Sequence, residues 1–87
     1  MPLFSVKTWR SGEDASGDGF AWQHADLVID SPSEEQLKRD IAAVDRTEVY
    51  ANEFLRLEFA GEYPTGQKGI PLRDFLSAYP PALAKLN

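Results

Sequence analysis

The apolar pattern of this 87-residue chain changes its period along the sequence, and that change limits the available folds more than anything else. From Leu3 to Arg10, Phe4, Val6 and Thr8 alternate with Ser5, Lys7 and Trp9, the two-residue rhythm of a strand with one buried face. Leu37, Ile41 and Val44 recur at spacings of four and three, which places them on one side of a helix, with Ala42 and Ala43 widening the stripe. Leu55, Leu57 and Phe59 then alternate with Arg56 and Glu58, and the strand rhythm returns. A chain built this way must lay a helix on a sheet.

The segments between these runs complete an expectation. Phe20 to Ile29 reads as a second strand, joined to the first as an antiparallel hairpin through residues 11–19, a longer connection than the common two to five residues. Ser31 followed by Pro32 and Glu34 predicts a helix start, with the serine as cap, the proline at the first helical position and the acid closing a capping box. Glu34 with Lys38, and Glu35 with Arg39, are spaced for favourable pairs on its outer side. Val49 and Tyr50 read as an earlier part of the third strand, with a bulge or turn at Asn52 and Glu53; one helix over 32–60 is the alternative. After a loop from Gly61 to Gly69, Pro71 opens a short helix bearing Leu72, Phe75, Leu76 and Tyr79, which Pro80 and Pro81 end or kink before a last turn at Ala82 to Leu86. The expected fold is a single α+β domain over 1–87, a three-stranded, mainly antiparallel sheet packed by one or two helices in the order β-β-α-β-α.

Without cysteine the chain forms no disulfide, thiolate nucleophile or common structural zinc site, which fits a reducing compartment. It lacks the ~20-residue apolar run of a membrane helix and a basic-then-apolar start, so a cytoplasmic location is expected. The net charge of −5 is unevenly spread: residues 11–62 hold thirteen acids against four bases, for −9. Such a field repels phosphate backbones and draws in basic surfaces.

Three local patterns bear on chemistry. Asp14, Ser16, Asp18, Gly19 and the Phe20 carbonyl resemble the first half of an EF-hand calcium loop, yet the position of the bidentate acid falls on Ala25 and both flanks read as strands. The reading adopted for Asp14 to Gly19 is an acidic hairpin tip, with weak calcium binding as an alternative. His24, the only histidine, stands two residues from Asp26, so a carboxylate that orients an imidazole is the basis for a small enzyme or ligand pocket; no serine motif or cysteine completes a triad. Gly66, Gln67, Lys68 and Gly69 resemble the GxxG turn of KH domains, without the surrounding apolar signature and in an acidic chain.

Trp9 and Trp22 can face each other across the hairpin, where packing in the core is one reading and an exposed anchor for a partner the other. Together with Glu13, Asp14, Asp18 and Phe20 they form the expected partner-binding set, because interface anchors are disproportionately aromatic. The functional expectation is a non-enzymatic, cofactor-free protein-binding module, of the inhibitor or immunity-protein kind by size and charge, that covers a basic surface of a protein partner.

Overall fold

The computed structural model describes residues 2–13, 19–64 and 68–86, with the backbone alone at Glu13, Phe20 and residues 22–25. The first two segments make a long antiparallel hairpin. Strands β1 (Leu3–Glu13) and β2 (Gly19–Asp30) pair from Leu3 opposite Asp30 to Glu13 opposite Gly19. Pairing runs on past Arg10 through Glu13, so the strands take in Ser11, Gly12, Glu13 and Gly19 of the expected connection over residues 11–19.

The third expected strand is two strands. β3 (Thr47–Tyr50) turns back through Ala51 and Asn52 onto β4 (Glu53–Glu62), and β4 pairs antiparallel along the free side of β1. Asn52 makes the reversal with φ of 60°, a left-handed conformation that asparagine adopts more readily than most residues. Finally β5 (Ile70–Pro71) joins β2 in parallel at Ile29 and Asp30. The result is a five-stranded mixed sheet in the order β3-β4-β1-β2-β5, curled into a half-barrel. This overturns the three-stranded, β-β-α-β-α expectation.

The curl has local causes. Between Thr8 and Trp9 the register on β2 skips from Ala25 to Gln23, leaving His24 as an extra residue. A second irregularity lies between Phe4 and Val6, where β4 runs from Glu62 to Phe59 and Gly61 takes φ of 102°. A third lies between Glu48 and Tyr50 in β3. Each extra residue bends its strand and raises the local twist.

Helix α1 (Glu34–Val44) starts two residues later than the capping signal suggested. Ser33 is the cap, its Oγ accepting the Gln36 N–H at 3.1 Å. Ser31 is buried at the end of β2, where its N–H bonds the Pro2 carbonyl and its hydroxyl donates to the Ser33 carbonyl. Both serines have Glu or Gln three residues on, and the bend at Pro32 decides for the second. Leu37, Ile41 and Val44 are buried as the period predicts, while Ala42 and Ala43 are exposed. Lys38 meets Glu34 at 3.0 Å, and Arg39 reaches Gln36.

Helices α2 (Leu72–Leu76) and α3 (Pro80–Leu83) follow, with a 3₁₀ turn at Ala84–Leu86. Pro80 and Pro81 begin α3, where their missing amides are not needed. The helices contribute Leu37, Ile41, Val44, Leu72, Leu76 and Ala82 to a core with Phe4, Val6, Ile29, Leu55 and Leu57 of the sheet. Each large side chain so buried contributes about 1.5–3 kcal/mol. The core therefore lies on one face of the sheet, the face of the even residues of β1.

Candidate functional site

The opposite face is the one the helices leave open. Directly opposed residues in a sheet share a face, as do alternate residues along a strand. Lys7, Trp9 and Ser11 of β1 thus stand with Glu58, Arg56 and Phe54 of β4, with Asp26 of β2 beyond Lys7 and with Glu48 of β3 beyond Phe54. None of these eight is buried. Phe54 is 36% exposed, a large apolar ring on the surface. At the start of β1 this face is closed, because Leu3 is buried against the segment around Gly69.

Trp9 is held by a relay of contacts. Asp45, which follows α1, directs Oδ1 to the Arg56 Nε at 3.1 Å and to the Leu57 N–H at 2.9 Å. The anchored guanidinium sits 5.3 Å from the centre of the Trp9 ring, a cation–π contact of about 0.5–1 kcal/mol at a partly exposed site. Trp9 is therefore half-buried and fixed in place, with its cation already paired to an acid.

Charge on this face is mixed, with the acids Asp26, Glu48 and Glu58 outnumbering the bases Lys7 and Arg56. Asp26, Lys7 and Glu58 form one rung across three strands, acid, base, acid, and all are exposed. Glu48 is exposed beside Phe54. Elsewhere Arg10 is engaged at Glu53, 3.5 Å away, and lies 5.3 Å from the Tyr50 ring. The bases of the acidic segment are thus partly taken up by internal pairs, while Asp26, Glu35, Glu48, Glu58 and Glu62 stay at the surface.

Of the expected partner-binding set, Trp9 lies on this face. Asp14 and Asp18 lie outside the described residues, as does Ser16. The backbones of Glu13, Phe20 and Trp22 are strand positions opposite Gly19, Gly12 and Arg10. Trp9 is opposite Gln23 and Arg56, and the backbone of Trp22 is opposite Arg10, so the two tryptophans do not hold directly opposed positions of the hairpin; the bulge at His24 displaces the register by one. The residues missed were Phe54, Arg56, Glu58 and Glu48, although the alternation of β4 carried the signal: its polar positions mark the open face.

The bulge also bears on the His24 and Asp26 reading, because a spacing of two no longer implies a shared face where an extra residue interrupts the strand. Asp26 is exposed opposite Lys7, and the His24 side chain lies outside the described residues. A cleft of about 330 Å³ does open between the end of β2, the first turns of α1 and the β5–α2 junction, walled by Asp30, Gln36, Asp40 and Arg73 among others, without Asp26. Among the described residues no three His, Asp or Glu side chains gather as metal ligands. Most of the calcium-like loop, and Gly66 and Gln67 of the GxxG turn, fall outside the described residues. Among the described residues no helix is long and apolar enough to cross a membrane.

No family model matches this chain, and neither a curated protein nor a solved structure does.

Proposed function

We propose that this protein is a non-enzymatic, cytoplasmic protein-binding module that engages a basic surface of a protein partner, in the manner of a small inhibitor or immunity protein. The observation that carries the reading is the open sheet face, on which Trp9 and Phe54 stand among Asp26, Glu48 and Glu58. Two aromatics on a face where Asp26, Glu48 and Glu58 outnumber Lys7, with Arg56 paired to Asp45, supply what an interface needs: apolar area for affinity and a field for encounter and register. Arg56 already has Asp45 as its counter-ion, so an incoming cation meets net acid there.

The test is affinity capture with the full chain. Basic proteins held at low ionic strength should be released as salt rises through a few tenths molar, where the screening length falls below ~8 Å. Retention of the same partners at high salt contradicts the proposal.

A further inference from the structure

The two sides of this sheet treat their backbone groups differently, and the difference points to how a partner binds. The Tyr63 N–H donates to the Leu3 carbonyl, so the odd residues of β1 bond toward β4. By the alternation of an antiparallel ladder the even ones bond toward β2. Leu57, opposite Thr8, accordingly turns its N–H away from β1, and Asp45 accepts it. On the other side, Arg10 and Gly12 bond Trp22 and Phe20, which leaves the N–H and C=O of Ala21 and Gln23 directed outward from β2. Among the described residues β5 covers β2 at Ile29 and Asp30 alone.

The β3–β4 side carries the devices by which proteins blunt an exposed edge. Its outer strand spans Thr47–Tyr50 only, α3 packs against it, and where it ends a carboxylate takes over the ladder at Leu57. From Gly19 to Gln23 the β2 edge has no proline, no lysine and no described partner. Its one interruption is the bulge at His24, which closes the free stretch at one end.

We infer that the Gly19–Gln23 edge of β2 is a strand-addition site for an extended, lysine- or arginine-bearing segment of the partner. The inference rests on the proposed basic partner and adds the mode of binding. Main-chain bonds from Ala21 and Gln23 supply affinity in this mode, and side chains supply selection. Charge selects the occupant: β2 carries Asp26 and Asp30 and no lysine or arginine, and Asp18 immediately precedes it in sequence. A second copy fits less well, since each chain brings −5.

The experiment uses the full isotope-labelled chain and two synthetic eight-residue peptides of alternating lysine and valine, one of them N-methylated at every residue so that neither of its edges keeps an N–H. Both carry the same charge; only the unmodified peptide can pair along an edge. The unmodified peptide should bind at least tenfold more tightly and slow amide exchange at Ala21 and Gln23. Ala21→Pro, which removes an outward N–H from an edge where proline is tolerated, should abolish that preference. Equal, salt-sensitive binding of both peptides with unchanged exchange at Ala21 overturns strand addition while leaving the acidic face as the site. Binding of neither overturns it too. Slowed exchange at Ala21 without peptide, growing with protein concentration alongside a doubled mass, assigns the edge to a second copy and also overturns it.

Discussion

Asp45 stands in for a strand at Leu57: its Oδ1 accepts the Leu57 N–H at 2.9 Å, just where β3 stops covering β4. The same oxygen receives Arg56 Nε, so one carboxylate ends α1, completes the ladder and steadies the cation beneath Trp9. Asp45→Ala should therefore cost about 1.5–3 kcal/mol, the range for a hydrogen bond to a charged acceptor. Arg56→Ala should cost less than about 1 kcal/mol, as partly exposed ion pairs do. Urea unfolding of both variants checks the ranking, and equal losses contradict it.

Thr8 is fully buried on the core face of β1, and its hydroxyl has no hydrogen-bond partner among the described residues. Thr8→Val keeps the shape and removes the unsatisfied group, so it should stabilise by about 1 kcal/mol. In a domain of this size that raises the thermal midpoint by roughly 4–8 °C. A lower midpoint contradicts this account of the site.

The two serines before α1 should respond unequally. Ser33→Ala removes the cap and should cost about 1 kcal/mol, with faster amide exchange at Gln36, whose N–H the Ser33 hydroxyl holds. Ser31→Ala should leave Gln36 exchange unchanged.

Gly69 lies where the chain crosses the end of β2. A methyl group there would stand 2.6 Å from Leu3 Cδ2 and 3.2 Å from both the Asp30 nitrogen and the Val28 oxygen. Leu3 can rotate away, but the backbone cannot. Gly69→Ala should cost about 1–3 kcal/mol by overpacking and speed exchange at the Asp30 amide, and a neutral variant contradicts it.

The core was legible wherever one period ran unbroken. Val6, Leu37, Ile41, Val44, Leu55 and Leu57 are buried as their spacing requires. The strand count was legible only in part: Asn52 and Glu53 read as a bulge or turn within one strand, and the left-handed backbone at Asn52 is what folds β3 back on β4 as a separate strand. β5 is two residues long, Ile70 and Pro71, too short to have a period, and its place beside β2 follows from tertiary packing at Gly69. Bulges explain the rest. The extra residue at His24 shifted the partners of Trp9 and Trp22 and cannot be read from composition. On the site, Trp9 was identified by its type, while Phe54, Glu58 and Glu48 needed the register that only the fold supplies.

The central claim is that position on the open sheet face, and not total charge, recruits the partner. It is tested most directly by measuring the affinity of a captured basic partner for two variants of equal net charge, Glu48→Gln with Glu58→Gln on the sheet face and Glu34→Gln with Glu35→Gln on α1. The account predicts at least tenfold weaker binding for the sheet-face pair and less than a twofold change for the helix pair. Equal losses, or a larger loss for the helix pair, would contradict it.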